Sequence, residues 1–122
     1  MKKPLFLLLA LIGVLLLSAC GQDAGYETIG IDEVAAKQEA GYTVLDVREP
    51  YEFEQGHIPG AENKPLTALE SKDFEGLQED AQYVVICQSG NRSKQASDIL
   101  LKEGYEFVNV DQGMGSWEGA VE

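Results

Sequence analysis

The sequence predicts an α/β domain, with a central, mostly parallel sheet of about five strands and helices on both faces. Three observations lead there. Strand-like and helix-like segments alternate from residue 27 onward. The strongest strand candidates, 43–47 and 83–86, are near-continuous apolar runs, as in strands buried on both faces. Glycines and a proline punctuate the helical segments where starts and stops are needed.

Taken in order, Glu27, Thr28 and Ile29 form a short strand. In 31–40, Ile31, Val34, Ala35 and Gln38 fall at helical spacing, and Gly41 stops the helix. Residues 43–47 follow as a buried strand. Pro50 suits a first helical position, so 50–55 is a short helix ended by Gly56. Residues 61–63 form a brief strand, and 66–77 are irregular or weakly helical. The strand at 83–86 ends at Cys87. A helix over 93–103 puts Ala96, Ile99 and Leu100 on one face, and Gly104 closes it. Residues 107–110 form another strand, and 113–117 a final turn or short helix.

The N-terminus follows a different logic. Lys2 and Lys3 precede an uncharged run over 5–19. As a helix that run reaches ~22 Å, short of the ~30 Å hydrocarbon core. It ends in Ser18 and Ala19 before Cys20, with no Lys or Arg cluster after it. This is the layout of a cleaved signal peptide rather than of a spanning anchor. Leu17-Ser18-Ala19-Cys20 resembles a bacterial lipobox. That resemblance implies removal of 1–19 and acylation of Cys20. The two acyl chains of a diacylglyceryl group would anchor stably where one is marginal. The expected organisation is a signal peptide over 1–19, a lipidated Cys20 with a flexible tether over 20–26, and one domain over 27–122. The expected location is the extracytoplasmic side of a bacterial membrane.

Charge narrows the partners. The whole chain carries −12. Without Lys2 and Lys3, seven Lys and Arg oppose twenty-one Asp and Glu, a formal −14. Such a surface repels nucleic acid and anionic headgroups, so the lipid must hold the protein at the membrane. A monomer is expected. With Cys20 assigned to lipid, Cys87 is left alone in an oxidising compartment, where an unpaired thiol needs a reason.

Its neighbours supply one. In Cys87-Gln88-Ser89-Gly90-Asn91-Arg92-Ser93 a strand delivers the sulfur, a tight loop follows, and a helix begins with free amides. Those amides and the helix dipole favour an anion, so a thiol of ordinary pKa ~8.5 ionises more readily there. Gly90 allows the tight curl. Arg92 adds a fixed charge and forked donor. Ser93, with Asn91, is a candidate helix cap.

Four segments together resemble the rhodanese-like domain family of single-domain sulfurtransferases. They are Val44-Leu45-Asp46-Val47-Arg48-Glu49 with Pro50, Glu52 and Phe53; Gly56-His57-Ile58-Pro59-Gly60-Ala61; the loop from Cys87 to Ser93; and Gly113 with Trp117. The resemblance implies a rhodanese α/β fold and a sulfurtransferase that moves a sulfane sulfur from a donor such as thiosulfate to a thiol, protein or cyanide acceptor. It implies that Cys87 is the nucleophile and becomes a persulfide, and that Gln88, Ser89, Gly90, Asn91, Arg92 and Ser93 bind the small anionic donor. Asp46 and Arg48 are supporting candidates, as substrate-steering groups or as an ion pair fixing the loops.

This chain departs from the family pattern in Gln112 before Gly113, in ending five residues past Trp117, where thinner packing is expected, and in the neutral Gln88. Related cysteine phosphatases place five residues between Cys and Arg, whereas four separate Cys87 from Arg92 here. A catalytically weak binding or sulfur-carrier module tethered to the membrane is the main alternative. A redox role lacks a second cysteine in the mature domain. His57, the only histidine, is expected to be structural, and without clustered Cys or Asp it makes no zinc site. No metal or cofactor is expected.

Overall fold

The computed structural model describes residues 25–122. The signal peptide expected over 1–19, the expected lipidation site Cys20 and most of the expected tether lie outside these residues. Five strands, β1 (Glu27–Ile29), β2 (Thr43–Asp46), β3 (Glu62–Asn63), β4 (Gln82–Ile86) and β5 (Glu106–Val110), form one sheet in the order β1-β5-β4-β2-β3. Every pairing is parallel. The helices are α1 (Val34–Glu39), α2 (Pro50–Glu54), α3 (Leu66–Glu70) and α4 (Asn91–Lys102).

The pleat divides the core in two. Leu45, Val47, Tyr83, Val85, Cys87 and Phe107 join Leu66 and Leu69 of α3 and Ala96 and Leu100 of α4. Val44, Val84, Ile86, Val108 and Val110 face the other way with Ile29, Val34 and Ile58. Burial on both faces explains the near-continuous apolar runs. Each fully buried aliphatic side chain contributes about 1.5–3 kcal/mol. Cys87 belongs to the first cluster because it continues the alternation Tyr83, Val85, Cys87 one residue past the strand.

Register sets the working edge. Asp46 pairs with Ile86 across β2 and β4, and the Val47 amide donates to the Ile86 carbonyl at 2.9 Å. The chain therefore leaves β2 and β4 at one level, and Val47–Arg48 and the Cys87 loop emerge side by side.

Several boundaries differ from the sequence expectation. The helix expected over 31–40 splits into a 3-10 turn, Ile31–Glu33, and α1. The Ile31 amide donates to Gln112 Oε1 at 3.0 Å, and the Gly30 amide to Glu33 Oε2 at 2.8 Å, so a long-range contact and a local cap shape that turn. The 66–77 segment is helical only to Glu70. Lys72 takes φ 60°, and the amides of Lys72 and Asp73 return to the carbonyls of Leu69 and Ala68 at 2.9 Å each. This is a Schellman closure with lysine where glycine is usual.

α4 starts at Asn91, two residues before the expected start. Its N-cap is Gly90 at φ 101°, and no side chain caps it. Ser93 is thus not a cap but lies inside the first turn, where its hydroxyl is 3.1 Å from the Gly90 carbonyl and can turn its single proton to either that oxygen or the Cys87 sulfur. Asn91, the other candidate cap, is the first helical residue.

Candidate active site

Cys87 is delivered by β4 and lies wholly beneath the surface, 0% exposed. The Gly90 amide donates to its Sγ at 3.1 Å. Burial pushes the thiol pKa up, but hydrogen bonds outweigh it. They come from the Ser93 hydroxyl and from the amides of Ser93, Gly90 and Ser89, and they hold the pKa below the ordinary thiol value. The amides at the entry to α4 are therefore directed at sulfur rather than at a capping side chain.

A pH profile checks this. Alkylation of Cys87 by a small reagent is expected to reach its plateau at a lower pH than an ordinary thiol. Ser93→Ala removes one stabilising hydrogen bond and should move the midpoint upward, leaving the plateau rate similar. An unmoved midpoint would show that the hydroxyl does not serve the sulfur.

The loop rests on the segment after β5. Met114 donates its amide to the Cys87 carbonyl at 2.8 Å, and Gly115 donates to the Gln88 carbonyl at 3.1 Å. Gly113 makes the approach feasible. A Cβ there would meet the Gln88 carbonyl carbon at 2.2 Å and the Cys87 carbonyl oxygen at 2.4 Å. Gly90 is constrained twice, by its positive φ and by the Asp111 carbonyl oxygen, 2.2 Å from where a Cβ would stand.

Gln88, Ser89 and Asn91 are exposed around the sulfur, while Gly90 and Ser93 are buried. Arg92 does not project as a free charge. Its guanidinium grips Glu52 of α2 in a two-point pair, Nη1 to Oε1 at 2.5 Å and Nη2 to Oε2 at 2.9 Å. Arg92 first, and the Glu49 amide as well, hold the Glu52 carboxyl at about 2 against the opposing effect of burial.

Asp46 and Arg48 form a buried ion pair, 1% and 5% exposed, with Arg48 Nη2 2.7 Å from Asp46 Oδ2. Arg48 also donates to the Gly56 carbonyl at 2.8 Å, and Asn63 donates to the carbonyls of Asp46 and Arg48 at 2.9 Å each. The pair ties the end of β2 to Gly56, just past the end of α2, the helix that carries Glu52. His57 stacks on Phe53, with ring centroids 3.6 Å apart, and contacts the Phe53 carbonyl and Glu122 rather than Cys87. Among the described residues, no three His, Cys, Asp or Glu side chains converge into a cation site.

Glu52 is the site residue that sequence reasoning passed over. At the third position after the α2 N-cap it accepts the Glu49 amide at 3.1 Å, so it reads as a helix cap. Its partner lies forty residues away. The one available signal was its place in the same segment as Asp46 and Arg48.

The fold and site define a parallel α/β domain that holds one cysteine in an amide-lined loop at a strand end. The chain belongs to the rhodanese-like domain family, whose sequence pattern matches residues 31–120. The Bacillus subtilis (strain 168) protein named "Putative sulfur carrier protein YrkF" is 41% identical over 80 residues, covering 65% of this chain but 43% of that protein. This chain thus spans less than half of that relative. "Putative sulfurtransferase YtwF" of the same organism is 41% identical over 76 residues, 62% of this chain and 73% of that one. A crystal structure of a rhodanese-related protein from Thermoplasma volcanium superposes with a TM-score of 0.70 at 39% identity, covering 80% of this chain and 98% of that one.

Proposed function

We propose that the domain is a sulfurtransferase working through a Cys87 persulfide. One observation carries the reading: an amide-stabilised sulfur at the end of β4, the one cysteine among the described residues. The Cys87 thiolate attacks the outer sulfur of a donor such as thiosulfate. A new S–S bond forms, the donor's S–S bond breaks, and sulfite leaves with the electron pair. The persulfide anion takes over the hydrogen bonds of the thiolate. Cyanide or a thiolate then attacks the terminal sulfur, forms thiocyanate or a new persulfide, and returns Cys87 as thiolate.

The relatives named for sulfur carriage and sulfur transfer support this reading. The four-residue spacing between Cys87 and Arg92 weighs against phosphate chemistry. The test is mass spectrometry of the protein after exposure to thiosulfate, with removal of the adduct by cyanide. Phosphate-ester hydrolysis without sulfur uptake would replace this reading.

We further propose that the chain is held on the extracytoplasmic face of a bacterial membrane by acyl chains on Cys20. The uncharged run ending in Leu17-Ser18-Ala19-Cys20 supports it. Cys20→Ser is expected to stay unprocessed and to lose lipid label entirely. Equal lipid incorporation in that variant would remove the anchor.

A further inference from the structure

Both arginines near the site are already matched by carboxylates. Arg48 is buried against Asp46, and Arg92 is gripped at two points by Glu52. Gln88, beside the nucleophile, is neutral. Within the loop from Cys87 to Ser93, what remains to receive an anionic donor is the set of amides, which supplies partial charges and no full one. That seat suits one negative charge better than two.

We propose that Glu52 determines donor specificity: by neutralising Arg92 it favours singly charged sulfane-sulfur donors over the dianion thiosulfate. The proposal rests on the sulfurtransferase reading and names its substrate class. Alkyl thiosulfonates have the right chemistry. They share the outer sulfur and sulfonyl group of thiosulfate but carry one charge fewer. Attack by Cys87 yields the same persulfide and releases a sulfinate in place of sulfite.

The pair is durable. The Glu52 and Arg92 side chains are 17% and 32% exposed, and Glu52 stays ionised throughout the working pH range. The Glu49 amide and the α2 turn fix the carboxylate in place, so the neutralisation is built in rather than incidental.

The test is the ratio of kcat/KM for thiosulfate to that for methanethiosulfonate, measured on the full chain. Glu52→Gln removes one negative charge. A unit change acts twice as strongly on a dianion as on a monoanion. At ~6 Å and an effective dielectric of ~40–80, as suits a pair that solvent reaches, the ratio should rise by about three- to tenfold at low salt, mainly through KM. The gain should shrink as salt is raised. Arg92→Gln leaves Glu52 uncompensated and should move the ratio the opposite way, below wild type. Glu52→Asp keeps the charge and should keep the ratio even if overall activity falls. An unchanged ratio in both Gln variants, or equal losses with both donors, assigns Glu52 to loop architecture alone and overturns the proposal. If the wild-type chain takes sulfur from neither donor, the sulfurtransferase reading itself fails, and the proposal with it.

Discussion

A Cys87→Ser chain is expected to take up no sulfur and to show no turnover, a loss limited only by detection. Serine keeps the size of the side chain and can accept the Gly90 amide, so the fold should survive. The cost of a hydroxyl in this apolar position is about 1–3 kcal/mol, against a typical domain stability of about 5–15 kcal/mol. The chemistry does not survive. An alkoxide is inaccessible at working pH, and an oxygen cannot hold a sulfur atom for later release. Peptide mass mapping after thiosulfate treatment should place the adduct on Cys87 in the wild type and nowhere in the variant. Uptake that persists in the variant, with unchanged kinetics, would move the nucleophile elsewhere.

Gly113→Ala is expected to damage the site without touching the sulfur. Its methyl group would stand 2.2 Å from the Gln88 carbonyl carbon, 2.3 Å from the Gln88 oxygen and 2.4 Å from the Cys87 oxygen. All three are backbone atoms, so no rotamer change relieves them. The loop must lift from its support, and the Met114 and Gly115 hydrogen bonds beneath it break. Overpacking costs about 1–3 kcal/mol, and each lost hydrogen bond about 0.5–1.5 kcal/mol. At ~4–8 °C per kcal/mol for a domain of this size, the melting temperature should fall by ~10 °C or more. Activity should fall at least ~10-fold, because the displaced loop no longer aims its amides at Cys87. Gly115→Ala is the internal control. Its Cβ would meet the Gln88 oxygen and the flexible end of the Gln88 side chain at 3.3 Å, so a small shift accommodates it. Equal damage from both substitutions in thermal denaturation and turnover would show that close approach at Gly113 is not what holds the loop.

The contrast between what could and could not be read in the chain follows range. A mostly parallel sheet was visible, though not that every pairing is parallel, because double burial writes itself into Val44–Leu45 and Tyr83 to Ile86 as apolar runs. Cys87 was visible because its loop and helix follow it directly. The end of α3 was hidden, since Lys72 adopts the left-handed turn that sequence patterns assign to glycine. The start of α4 was misplaced, since Gly90 caps it through backbone conformation while Ser93, the better-looking cap, is drawn inside. The Arg92–Glu52 pair was beyond reach for a different reason. Each residue has a sufficient local explanation, and only the folded sheet brings α2 against the loop.

The enclosure of Cys87 has a kinetic consequence. The core cluster that includes Leu45, Val85 and Ala96 fills the space behind the thiol, so an added sulfur extends outward, with an S–S bond of ~2 Å. The empty protein therefore hides its reactive atom, while the charged protein holds its labile atom nearer the rim. In the proposed cycle a donor reaches the thiol only where the loop opens, whereas an acceptor meets a sulfur nearer the surface. Oxidants, which attack an accessible thiolate, face the same wait as the donor. In the proposed cycle filling is the gated half and emptying the open half, and the same enclosure slows oxidation of the idle cysteine.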